Sequence, residues 1–218
     1  MRETTLGRFL TGKPETCHSR GMPMRQLRAT MIAHFSGGEM SDQDKSSVNF
    51  KKRFEKAYPH LKEFTAFLME MNQETDRGAA LVAATLIEEL LKRCLLAFMV
   101  DNKGAKGLFD GMNAPLHGFS SRIAAAYGLG LISNEEYEDC QIIRKVRNEF
   151  AHTLGTNYEN KKIIGLCANL HGSAKPYGDG QVNTREQFST AAVALILNLT
   201  NRPHYIGRKR LTYEEWQR

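Results

Sequence analysis

Residues 142–153 read IIRKVRNEFAHT, and the stretch RNEFAH within them places an arginine, an asparagine and a histidine in close succession. Those three side chains can support metal-free RNA chemistry. A histidine can take the proton of a ribose 2′-OH or return one to the leaving oxygen. An arginine fork can hold a phosphate and stabilise the charge that develops on it. An asparagine can orient the ribose or fix the imidazole. Arg147, Asn148 and His152 are therefore the candidate catalytic group, with Arg144 and Lys145 as candidate contacts to an RNA backbone.

This chemistry requires the residues to share a face. On a helix, Arg144, Asn148 and His152 are spaced i, i+4 and i+8 and line up as one polar stripe, with Arg147 on its flank. Ile142, Ile143, Val146 and Phe150 fall on the other side and should face a core. An amphipathic surface helix gives the same pattern without any site. Two details point further: Asn148 is a mediocre helix former placed mid-helix, and His152 ends the helix, where the negative pole favours a cation. One helix offers one histidine, so separate acid and base roles call for a homodimer that sets two stripes face to face.

The elements that hold this helix follow from periodicity and caps. Ser133 and Glu136 form a capping box that starts the helix, which runs to about His152, near Gly155. An apolar helix is expected from Thr75 or Asp76 to about Val100, and another from about Asn49 to Met71, divided near Pro59. A Gly- and Asn-rich loop, DNKGAKGLFDGMNAP, leads to a short helix at 116–127 that Gly128 and Gly130 end. The polar stretch at 171–183 has the composition of a short hairpin. Thr184 with Gln187 then reads as a second capping box ahead of the apolar run FSTAAVALILNLT. In ETDRG, capping and an intrahelical ion pair account for Glu74, Asp76 and Arg77. Ser120, Ser121 and Arg122 read as a cap and a surface pair rather than an anion site, and His117 as a solvated loop residue.

Composition narrows the classes. A chain of 218 residues with 41% hydrophobic and 25% charged residues can bury one sizeable core. No run reaches the length of an apolar membrane span, because Glu88, Glu89, Lys92 and Arg93 interrupt the richest one, and the first twenty residues hold no signal-peptide h-region. The four cysteines (Cys17, Cys94, Cys140, Cys167) form no CxxC pair, so no metal site and no cofactor is expected, and Cys94 and Cys140 read as buried free thiols in a cytoplasmic protein. KGAKGLFDG lacks the order of a P-loop. The net charge of +6 lies at the ends: six Lys/Arg against three Asp/Glu in residues 1–40, and five against two in 202–218. Such ends can act as polyanion-seeking arms or simply aid solubility. Met40 opens MSDQDKSSVNF like a natural start, so residues 1–39 are read as an upstream segment with no part in the fold.

RNEFAH fits the Arg-polar-x3-His signature of HEPN domains, small helical bundles that include many metal-independent endoribonucleases. The runs ETDRGAALVAATLIEELL (74–91), APLHGFSSRIAAAYGLGLIS (114–133) and EYEDCQIIRKVRNEFAH (136–152) resemble, in order and spacing, the mannitol operon repressor (MltR-like) family. Departures from that pattern are the first 40 residues and His117. The resemblance implies an all-α fold, a single HEPN-like helical bundle placed over 46–201, while composition sets a basic N-terminal extension (1–45) and a basic C-terminal tail (202–218) on either side. The resemblance also implies transcriptional regulation. Two readings result. In the first, a homodimeric RNA-directed regulator cleaves RNA through Arg147, Asn148 and His152. In the second, a non-catalytic regulator uses the same stripe to meet a regulatory protein partner. The first is the expectation carried forward, because the needed side chains share one exposed face. Direct reading of an operator is disfavoured in either case, since the 133–152 helix is acidic at its N-terminal end.

Overall fold

The computed structural model describes residues 62–111, 113–173 and 181–216, and all regular structure among them is helical. The elements are α1 (Lys62–Gln73), α2 (Asp76–Phe98), α3 (Lys103–Gly107), α4 (Phe119–Gly128), α5 (Asn134–His152), α6 (Lys161–Cys167) and α7 (Thr184–Ile206), followed by a 3-10 turn at Gly207–Lys209. The all-α expectation holds over these residues. Pro59, LRATMIAHF, Met40 and Cys17 all lie outside them, as does most of the hairpin expected at 171–183.

The bundle is organised on α2. Thr75 starts it by accepting a hydrogen bond from the Gly78 amide. Its buried positions change from small to large along the helix: Ala79, Ala80, Ala83 and Ala84 in the first half, then Ile87, Leu90, Leu91 and Leu95. The alanines let α7 approach closely, and α2 makes its most extensive contact with that helix, with α5 and α4 against its other sides. The α7 contribution is Phe188, Ala191, Ala192, Leu195, Ile196 and Leu199. Each large apolar side chain buried here is worth about 1.5–3 kcal/mol relative to exposure.

Turn chemistry fixes how α5 enters. Gly130, at φ +67°, follows the α4 C-terminus, where the Gly130 amide bonds to the Tyr127 carbonyl and the Leu131 amide to that of Ala126. This pairing is a Schellman motif, and a side chain at Gly130 would be strained. Ser133 and Glu136 then form the expected capping box. Glu136 does more than cap. Its carboxylate takes a two-pronged ion pair from Arg202 on α7, at 2.6 and 2.7 Å, and Arg202 also donates to the Leu131 carbonyl. The start of α5 is thus tied to the end of the last helix.

Several local expectations are revised. The second capping box is Asn183 with Glu186, one residue earlier than Thr184 with Gln187. Asparagine is the stronger N-cap, and it sets the register. The short helices α3 and α6 were not legible from hydrophobic period. Each is started by an asparagine, Asn102 accepting from the Ala105 amide and Asn160 from the Lys162 amide. Arg122 is no surface pair. It is 9% exposed and donates to the carbonyls of Leu116 and Glu88, strapping the loop before α4 onto α2. Asp76 pairs across the bundle with Arg185 at 2.8 Å, not within its own helix. The last helix continues to Ile206, past the 202 boundary expected for the tail, and Arg210 caps the end of α2 through the Ala97 and Leu96 carbonyls.

Cys94, Cys140 and Cys167 are buried free thiols, as read for the first two. Burial pushes Cys94 and Cys167 up to about 12 and raises Cys140 as well, so none is a ready nucleophile. No helix among the described residues is long and apolar enough to cross a membrane.

Candidate functional site

The α5 helix carries the expected division of faces. Ile143, Val146 and Phe150 are fully buried, and Ile142 packs on the core from a half-buried position. Arg144, Arg147 and Asn148 are half-buried, while Lys145 and His152 are exposed. Helical spacing thus separates the apolar from the polar side as expected, but Arg144, Arg147 and Asn148 are half-buried and not on a fully exposed face.

The stripe's internal bonding is more specific. The Arg144 guanidinium donates through Nε and Nη2 to Gln141 Oε1, at 3.3 and 3.2 Å. The Arg147 guanidinium donates through Nη1 to Asn148 Oδ1 at 3.0 Å. Asn148 thus steadies Arg147 rather than the imidazole. Among the described residues the His152 ring has no hydrogen-bond or ion-pair partner. No carboxylate sets its tautomer.

The end of α5 is held by residues whose role the sequence did not reveal. Arg77, at the start of α2, donates from Nε to the Phe150 carbonyl at 2.7 Å and from Nη2 to the Thr153 carbonyl at 3.1 Å. A cation so placed fills carbonyls that the helix leaves unpaired and opposes the negative pole. Beside it, Lys162 of α6 pairs with Glu149, and this bond holds the Glu149 carboxyl below the ordinary carboxylate range. Tyr158 packs edge-on to Phe150 at 5.0 Å and against Phe188 at 5.6 Å, closing the core beneath this end. Nothing in the spacing of Arg77 announces a partner 73 positions later.

A second clamp sits nearer the N-terminal half of α5. Asp139 is buried and accepts from the amides of His171 and Gly172 at 2.8 and 3.0 Å. The His171 ring meets Glu138 at 2.6 Å. That hydrogen bond raises the His171 pKa above its ordinary 6.5. The charged pair then adds stability that is complete below the unfolded pKa and fades as pH rises through the higher folded one. In an NMR titration the His171 ring is expected to show a midpoint above that of an unperturbed histidine, and Glu138→Gln should lower it. An unshifted midpoint in the wild-type protein would contradict the pairing.

The arrangement limits what a single chain can do. His171 is the imidazole held against α5, but Glu138 lies roughly 21 Å along the helix axis from His152 at 1.5 Å per residue. Among the described residues paired with α5, His152 is thus the one imidazole at this end, able to act as an acid or a base in a given step. The cations of the stripe can meet an anionic surface. Three-residue groups of His, Cys, Asp or Glu suited to a metal are absent among the described residues.

No family model matches the sequence. Mannitol operon repressors from two Escherichia coli strains, K12 and O6:H1 CFT073, are each 32% identical to the chain over 105 residues, 45% of this chain and 53% of theirs. The match thus spans about half the length of these relatives. Among solved structures, the X-ray structure of the MtlR-HPr complex from Escherichia coli aligns at 26% identity and a TM-score of 0.47, covering 65% of this chain and 96% of that one. The chain is thus similar in sequence to the mannitol operon repressors over about half of their length.

Proposed function

We propose that the protein is a non-catalytic regulator of transcription that resembles the mannitol operon repressors and acts in the cytoplasm through contact with another protein. The 105-residue match to those repressors is the observation that carries this reading. The contact face is the cationic part of the α5 stripe, Arg144 and Lys145 with Arg147 on its flank, and His152 at the end of the helix is not needed for the contact. It suits a partner with an acidic surface, since rim charges of opposite sign guide encounter and fix register. Direct operator reading fits α5 poorly. Its N-terminal half carries Glu135, Glu136, Glu138 and Asp139, where a recognition helix would meet phosphates and base edges.

One observation keeps the RNA reading in contention: the His152 ring is exposed and unpartnered on a cationic face. Cleavage through Arg147, Asn148 and His152 would need a dimer that pairs two such rings. The test is cleavage of mixed RNA in the presence of a chelator by wild type, His152→Ala and Arg147→Ala. The regulatory reading expects the same background from all three. Cleavage by wild type that either substitution abolishes, with folding unchanged, would establish the nuclease instead.

A further inference from the structure

A groove of about 400 Å³ lies at the end of the bundle remote from His152. Its walls are Phe98 at the end of α2, Leu129–Leu131 between α4 and α5, and Tyr205 and Ile206 of α7, with Lys209 at its rim. Leu129 and Tyr205 are 44% and 63% exposed. Apolar side chains left open beside one another in this way can serve as a contact surface. The Arg202 charge in the groove is already matched by Glu136, which leaves Lys209 and neighbouring Arg208 to supply positive potential.

The chain also carries a segment with the complementary chemistry. After Arg210 caps α2, the Leu211 amide bonds to the Phe98 carbonyl at 2.8 Å, and the chain continues without regular structure through Thr212, Tyr213, Glu214, Glu215 and Trp216. Tyr213 and Trp216 are 77% and 86% exposed. The tail is anchored beside its own groove, yet its two aromatic rings are not buried in it. Two carboxylates between two aromatic rings suit an apolar groove with a basic rim.

We propose that the 212–216 segment of one copy docks into this groove on a second copy, reciprocally, and so makes a tail-exchanged homodimer. Five extended residues reach roughly 16 Å beyond Leu211, enough to enter a neighbouring subunit. Four aromatic side chains bury roughly 150–250 Å² each. With the groove surface they cover, the total comes to roughly 1,000 Å², the lower bound for a specific interface. This dimer is independent of the regulatory reading. It is also distinct from one that pairs His152 with His152, because the groove adjoins the opposite end of α5, roughly 28 Å away along that helix.

Trp216 is the sole tryptophan, so its fluorescence reports the tail alone. In the full chain, light scattering should give twice the protomer mass, and Trp216 emission should move from solvent-exposed to buried character as concentration rises. Trp216→Ala should raise the dimer dissociation constant at least about 30-fold, the scale of a hot-spot aromatic. Leu129→Glu, at an exposed wall, should do the same while helical circular dichroism stays unchanged. Adding Trp216→Ala protein, whose groove is intact, to Leu129→Glu protein, whose tail is intact, should bury the Trp216 ring again. Three results would overturn the proposal. One is emission of solvent-exposed character at every concentration. Another is a buried emission in a monomer, which means the chain's own tail fills the groove. The third is a dimer that neither substitution weakens.

Discussion

Glu136→Ala should destabilise the protein by about 3 kcal/mol, more than any other single change on the α5 surface. The substitution removes two things at once. It deletes the reciprocal half of the Ser133 capping box, worth about 1 kcal/mol. It also strands the Arg202 guanidinium, whose side chain is only 25% exposed, without its carboxylate. Removing one partner of a fully buried pair costs roughly 3–5 kcal/mol, and the partial exposure here places this pair below that range. Urea unfolding followed by circular dichroism would measure the loss. Arg202→Ala alone should also be costly, whereas the double variant should cost less than the sum of the singles, because no orphaned charge remains. Additive losses would show that the two groups act independently.

Phe150→Ala is expected to cost about 3–5 kcal/mol, the range for removing a fully buried aromatic. Phe150 is 0% exposed and its ring meets Tyr158, which itself abuts Phe188. Its carbonyl is also the atom that Arg77 grips. The resulting cavity would therefore loosen the turn that presents His152 as well as the core. Hydrogen exchange should show the loss concentrated in residues 150–158 before global unfolding. Protection that falls equally in α2 and α5 would mean that this end is not an independent unit.

Much of this architecture is legible from residue types. The 3.6-residue period of IIRKVRNEF places Val146 and Phe150 inward, where they are buried, and Arg144, Asn148 and His152 on the other side, where only His152 is exposed. Ser133 with Glu136 gives the start of α5 because a capping box is a local bargain between residues three apart. What the sequence hides is long-range. Arg77, Arg202 and Arg210 all resemble solvent-facing cations in sequence, yet each is bonded to a backbone carbonyl or carboxylate that folding brings near. Asp139 hides in the same way: its amide partners belong to an irregular loop with no periodic signature. The stripe itself was visible, but its chemistry was not. Arg147 and Asn148 bond to each other, an arrangement that a wheel cannot distinguish from one aimed at a phosphate.

On the proposed reading, the cations of α5 form a docking face, and the imidazole at its end does no proton transfer. Gene replacement in the native host, followed by transcript profiling, tests it most directly. Loss of the protein should change expression of a restricted set of operons. His152→Ala should restore the wild-type profile, whereas Arg144→Glu with Arg147→Glu, if equally folded and abundant, should behave like the deletion. The reverse pattern, in which His152→Ala fails and the charge-reversed protein succeeds, would contradict the claim.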